Sequence, residues 1–307
     1  MSREFGDFQT PAPLVQLVLA CLAQSGRTWQ RVLEPTCGTG NFIRGVLDSS
    51  VLDAGGEILG IELQPARLAR AQEIAAGSAG ITLMNASIFD LNLKRDLHWE
   101  SSGRLLVIGN PPWVTNAELG ALSSGNLPQK RNLKGLSGLE ALTGGSNFDI
   151  AEAIWLKLIG ELAGDEPTIA LLCKTSVARN VLQFAARTGA AISRAAIRRI
   201  DTKKWFDAAA DACLFMVEVG GTGVVADIPV YADLTSDAPE QIMRIRGGNL
   251  IADIDAYEEL AGVEGVFPFT WRQGIKHDAA DVMELFDLGN GALQNRLGEP
   301  VMVEDAY

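Results

Sequence analysis

Asn110, Pro111, Pro112 and Trp113 follow directly on the apolar run Leu105-Leu106-Val107-Ile108-Gly109, and no other stretch of this 307-residue chain is as well equipped for chemistry. A buried-strand pattern that ends in Asn, two prolines and an aromatic makes a stiff loop at a strand's C-terminal edge, where open α/β sheets bind ligands. The loop offers an amide oxygen, a proline carbonyl and a large flat ring, which are the parts needed to hold a planar amine. An NH2 group conjugated to a ring is a poor nucleophile because its lone pair is delocalised. Two acceptors on its two hydrogens favour the pyramidal form and direct the lone pair toward an electrophile, while an aromatic ring stacks on the base.

Such a loop needs a sheet behind it and a second ligand beside it. Pro11 to Leu22 carries apolar residues at helical spacing, with Thr10 in the position of an N-cap and Pro11 in the first turn. Arg31-Val32-Leu33 reads as a strand, Glu34-Pro35-Thr36-Cys37-Gly38-Thr39-Gly40 as a turn, and Phe42, Ile43, Val46 and Leu47 as the start of a helix. Strand, glycine turn and helix together open a nucleotide-binding βαβ unit. Further strands are expected over 58–62, 81–84, 105–108, 168–173, 195–200 and 213–219, with a strand-like run over 224–234 and helices over 67–76, 148–162 and 177–188. Residues 113–147, rich in Gly, Ser, Leu and Asn and carrying Lys130, Arg131 and Lys134, read as a long surface loop.

Gly38-Thr39-Gly40 is by itself a weak signal, because many doubly wound domains have such a turn. It lacks the third glycine and the Lys-Ser/Thr pair of phosphate binders. Glu34 before it and Glu62, 22 positions after Gly40, suit a ligand with ribose hydroxyls and a cationic amino-acid end, a description that S-adenosylmethionine meets.

With these residues the sequence resembles the S-adenosylmethionine-dependent DNA adenine-N6 methyltransferases of bacterial restriction-modification systems, in the gamma arrangement of motifs. The resemblance covers about residues 5–220. It rests on Phe8-Gln9-Thr10-Pro11, on Leu33 to Phe42, on Ile61-Glu62 and on Asn110 to Trp113, with weaker support from Asn147-Phe148-Asp149, Lys174 to Arg179 and Trp205-Phe206. It implies a Rossmann-like class I methyltransferase fold: a mixed, mostly parallel seven-stranded sheet with helices on both faces. Phe8 and Thr10 would clamp the methionine end of the cofactor, with Glu34 and the turn through Cys37, Gly38 and Gly40 against the same end. Glu62 would bind the ribose hydroxyls, and Pro35, Phe42, Leu63, Ile88 and Asn110 complete the expected cofactor site. Where the family often has an acid on the cofactor's adenine this chain has Ser87, so either Ser87 or Asp90 takes that contact. Asn110 and Pro111 would accept from the target amine, with Pro112 stiffening the loop. Trp113 and Phe206 would stack on a base turned out of the duplex.

The totals bound the rest. Hydrophobic content of 47% and mean hydropathy of +0.12 allow a large core. A catalytic domain is expected over 1–235 and an extension over 236–307 that begins, or leads to, a DNA-reading segment. The extension is short for an independent reader, so the recognition segment is expected to be truncated or to reside in a partner. Nothing has the length of a membrane span and the N-terminus lacks a signal pattern, which favours the cytosol. Four scattered cysteines and two histidines argue against a metal or a disulfide framework. A net charge of -12 opposes non-specific nucleic-acid binding by the chain as a whole, unless basic residues gather on one face. His277-Asp278 reads as a surface His beside a helix-start Asp rather than a second active site, and Arg272 and Lys276 suit the start of a DNA-facing segment. The same amine-holding loop also serves methylation of an RNA base or a protein glutamine, and a non-catalytic cofactor-binding subunit is the third reading.

Overall fold

The structure is a computed structural model that describes residues 9–114, 149–221, 225–247, 249–260, 262, 284–289 and 292–301. Phe8, the expected loop with Lys130, Arg131 and Lys134, and the segment from Trp271 to Asp278 lie outside the described residues.

The continuous apolar runs become the central strands β4 (Leu105–Gly109) and β5 (Thr168–Lys174), and β1 (Trp29–Glu34), apolar at Val32 and Leu33, lies beside β4. Their side chains alternate between two cores. Leu33, Val107 and Leu171 face one core with Trp155 and Val181, whereas Val32, Leu106, Ile108 and Leu172 face the other with Leu14, Val18 and Phe42. A strand buried on both faces has no polar side to show, which is why these runs lack alternation.

Outward from β1 lie β2 (Leu52–Glu62) and β3 (Ile81–Asn85); outward from β5 lie β7 (Ala212–Val219) and then β6 (Ile192–Ile200). Strands β1 to β5 run parallel, and β7 is antiparallel to both β5 and β6. This is the expected seven-stranded arrangement, and it is not the whole sheet. Strands β8 (Asp227–Tyr231), β9 (Gln241–Arg246) and β10 (Asn249–Ile251) pair on beyond β6 to make ten. The sequence places 236–251 in an extension; instead β9 and β10 join the sheet. One compact unit runs from Met1 to Glu259 and a second from Leu260 to Tyr307.

Helices α1 (Ala12–Ala23) and α2 (Asn41–Leu47) cover one face, with α3 (Pro65–Ala75) beside α2. The short α4 (Leu93–Asp96), α5 (Ile150–Glu161) and α6 (Thr175–Thr188) pack on the other. A one-turn helix, α7 (Thr202–Phe206), connects β6 to β7, and α8 (Ile254–Leu260) follows β10. Thr10 is not the N-cap of α1. That position falls to Pro11, with no side-chain cap, and Pro11 O takes the N–H groups of Leu14 and Val15. The second unit contains a three-stranded antiparallel sheet of β11 (Leu285–Asp287), β12 (Leu293–Asn295) and β13 (Pro300–Val301).

Candidate active site

The glycine turn after β1 and the Asn110 loop after β4 emerge from adjacent parallel strands, so both lie at the same sheet edge. Gln9, Thr10, Glu34, Thr36, Cys37, Gly38, Asn41, Phe42 and Asn110 line one small cleft there. Gly109 ends β4 in a backbone conformation that favours glycine. Its φ is +155°, and a Cβ built on it would stand 3.4 Å from Glu34 Cγ. Pro35, beside Glu34, is buried.

Two carboxylates organise the cofactor side. Glu62, 7% exposed at the end of β2, accepts the Gly38 N–H on Oε2 at 2.9 Å and the Gln64 N–H on Oε1 at 2.7 Å. It therefore fixes the glycine turn and still has lone pairs for a hydroxyl. Glu34 is 3% exposed, and its Oε2 has no hydrogen-bond partner among the described residues. Burial pushes the Glu34 carboxyl well above the usual carboxylate range; the Ile43 backbone N–H opposes this and the nearby Glu62 charge adds to it. The same burial, with the Glu34 and Glu62 charges, raises Cys37 and keeps it a thiol. Thr36 Oγ1 is likewise buried without a partner.

The cofactor implied by this site, S-adenosylmethionine, suits these residues. A buried carboxyl oxygen without a partner beside the N-terminus of α2 fits an ammonium group, and the Gly38–Gly40 turn with Glu62 fits a ribose and its linkage. Leu63, just past β2, is 42% exposed and apolar. Ile88 is buried in the core on the same side. The Ser87 hydroxyl accepts from the Phe89 N–H at 3.2 Å, and Asp90 is exposed.

Residues that the motifs contain, but to which sequence reasoning gave no role, hold the N-terminal segment against this turn. Gln9 Oε1 accepts from the Thr39 hydroxyl at 2.7 Å and from its N–H at 3.3 Å, and Asn41 Nδ2 donates to Thr10 O at 2.8 Å. Asn110 Nδ2 donates to Thr10 Oγ1 at 3.1 Å. Their place within the motifs was the signal available for Gln9 and Asn41.

Trp113 and Phe206 lie against each other. Trp113 is 6% exposed, and its Nε1 donates to Leu172 O at 3.3 Å. The β4 pairing of β5 ends at Leu171, which leaves the next carbonyl within reach of the indole. Half-buried Phe206 meets Trp113 edge to face, with centroids 5.3 Å apart and planes at 74°. A base between two parallel rings needs about 7 Å, twice the usual contact distance, so the two rings do not form an open sandwich. Pro111 is buried and Pro112 half-buried, which holds the loop stiffly under Asn110. Val114 O accepts the Ile150 N–H at 3.0 Å, tying the loop to α5. Asp149 caps α5 and pairs with Lys174 at 3.0 Å.

No family model matches the chain. Among curated proteins it is similar to the Type II methyltransferase M.NspV of a Nostoc strain, with 34% identity over 315 residues and 99% of this chain. The chain spans 63% of that relative's length. Among solved structures it is similar to the type IIG restriction endonuclease BpuSI, with a TM-score of 0.50 and 16% identity, over 83% of this chain and 32% of the other. A type I restriction-modification methyltransferase subunit from Streptococcus thermophilus gives a TM-score of 0.47 at 13% identity, over 83% of this chain and 52% of the other. No helix among the described residues is long and apolar enough to cross a membrane.

Proposed function

We propose that this chain, a relative of the restriction-modification methyltransferases with a class I methyltransferase fold, moves a methyl group from S-adenosylmethionine to the N6 amine of an adenine in DNA. The observation that carries the reading is the meeting of Asn110 with Glu34 and Gly38 in one cleft, although 76 positions separate Glu34 from Asn110 in sequence. A hydrogen-bond-accepting corner beside a cofactor turn is the arrangement that a planar amine needs.

When bound, the cofactor supplies an electrophilic methyl group on a sulfonium. The chain's own residues do the rest. Glu34 and the glycine turn hold the amino-acid end, and Glu62 holds the ribose. Asn110 Oδ1 and Pro111 O accept the two amine hydrogens and draw the nitrogen lone pair toward the methyl group. Phe206 offers a ring face to the extruded base, and Trp113, anchored on Leu172 O, supports Phe206 from its edge. Replacement stacking of this kind is worth on the order of 1–3 kcal/mol per base in single-strand binders. Holding both reactants in line supplies much of the rate. Loss of the amine proton follows transfer, once the nitrogen is cationic, so no general base is required. The DNA is double-stranded, and its sequence is read by a segment beyond the catalytic unit or by a partner.

The test is transfer of labelled methyl groups to genomic DNA, total RNA and cell protein in parallel, with digestion of each polymer. Label in N6-methyladenine from DNA is expected. Label confined to an RNA base or to methylglutamine would overturn the substrate assignment. Asn110→Ala is expected to abolish transfer while cofactor binding persists; retained transfer would remove Asn110 from the chemistry.

A further inference from the structure

We propose that Thr10 is a positioning residue for Asn110, its hydroxyl holding the amide nitrogen so that the amide oxygen turns into the cleft, an inference that rests on the role given to Asn110 above. A side-chain amide has two unlike ends that exchange when it turns over by 180°. Only the oxygen end can accept from an amine; with the NH2 end forward, two donors face each other. The orientation of the amide therefore decides whether Asn110 is competent, and the Thr10 hydroxyl, which can donate or accept, acts here as the acceptor that goes with the competent one.

In this chain that contact is Asn110 Nδ2 to Thr10 Oγ1 at 3.1 Å, joining residues 100 positions apart. Thr10 is 5% exposed, so solvent does not compete freely for the bond. Its place is fixed from three sides. Thr10 O takes the Asn41 amide, Gln9 next to it is clasped by Thr39, and Pro11 starts α1 immediately after it. The hydroxyl is not spent on capping that helix, because the N-cap is Pro11 with no side-chain bond. Thr10 thus couples the glycine turn to the amine-holding loop: the segment that closes over the cofactor turn also sets the amide that faces the substrate.

A methionine clamp and a positioning residue predict different kinetics. Thr10→Val keeps the shape and removes the hydroxyl; Thr10→Ser keeps the hydroxyl. In the full chain, with DNA and cofactor saturating, Thr10→Val is expected to lower kcat about tenfold or more, the factor that corresponds to about 1.4 kcal/mol in the transition state. Cofactor Kd by calorimetry should stay within about threefold, and Thr10→Ser should recover most of kcat. A weakened cofactor Kd with kcat intact at saturation would overturn the inference in favour of a cofactor clamp, and unchanged kcat and Kd would overturn it outright. Analysis of the wild-type product separates this from the substrate assignment. If the label lies in a polymer other than DNA, the adenine reading fails, and the Thr10 test proceeds with that polymer because any planar amine needs the same oxygen.

Discussion

At the scale of single residues, Glu34 joins a structural cost to a functional gain. Its raised pKa comes first from desolvation, against one backbone N–H, with the Glu62 charge adding to the rise. A carboxyl with a raised folded-state pKa contributes stability that is full below its unfolded value and is lost as pH rises through the folded value. The cofactor-free protein should therefore lose stability across that window by up to about 1.4 kcal/mol per pH unit. Glu34→Gln should flatten the loss in melting curves recorded against pH. A cationic ammonium beside Glu34 favours the ionised form, so cofactor binding releases a proton and tightens as pH rises toward the raised pKa. Calorimetry in buffers of different ionisation enthalpy reads this directly; binding with no proton release would show that Glu34 does not meet the cofactor's charge. The sequence announces Glu34 by its place before a glycine turn. It does not announce the burial, because that depends on the neighbouring strand β4, whose Gly109 lies against Glu34. Trp113 is the converse case: a loop aromatic after two prolines suggests an exposed stacking ring, and only the end of the β4–β5 pairing reveals the carbonyl that receives its indole N–H.

Among the elements, legibility follows the source of stability. The central strands β4 and β5 are continuous apolar runs because both faces are covered, and with β1 their positions are evident from sequence within a residue or two. Strand β2 begins at Leu52 rather than at Ile58: Trp29 pairs with Leu52 and Arg31 with Glu57, and the irregular stretch between them, with Gly55 and Gly56, reads as a loop in the sequence. Strands β9 and β10 carry Gln241, Arg244, Arg246 and Asn249 on a sheet margin, so neither composition nor alternation marks them. Helix α7 is one turn long, far too short for a periodicity, and depends on the Asp201 side chain accepting from the Lys204 N–H and on Thr202 Oγ1 donating to Ala210 O. The join of the glycine turn to α2 and α3 yields a sharp prediction. Gly40 has φ of +86°, and a Cβ there would sit 3.2 Å from Ala71 Cα on α3. Gly40→Ala should cost about 1–2 kcal/mol for the left-handed backbone alone, read as a lower urea midpoint. It should also weaken cofactor binding through the displaced turn. A variant that binds the cofactor normally would show that the turn tolerates displacement.

For the molecule as a whole, the question is where cofactor chemistry ends and sequence reading begins. All the described site residues, from Thr10 to Phe206, lie within the unit that ends at Glu259, and this unit has its own two-sided core. The second unit is a different physical object. Among its described residues are strands of three, three and two residues, and Leu285, Phe286, Leu288 and Leu297 are exposed there, an apolar group that favours association. A chain cut after Glu259 should keep the wild-type cofactor Kd and its main thermal transition, and should scatter less light at high concentration because those four side chains are gone. A weaker cofactor Kd in the shortened chain would show that the second unit supports the site. The net charge gives the complementary expectation for DNA: of the -12, residues 260–307 carry -5, with 3 basic against 8 acidic residues, and the shortened chain keeps -7. A protein that repels the phosphate backbone overall holds a duplex only through local contacts, so binding of a short duplex by the shortened chain should be weak and should change little in log Kd with log salt compared with a strongly basic reader. A steep salt dependence in the shortened chain would instead place a basic DNA-binding face on the catalytic unit, and the recognition function would not need to be sought elsewhere.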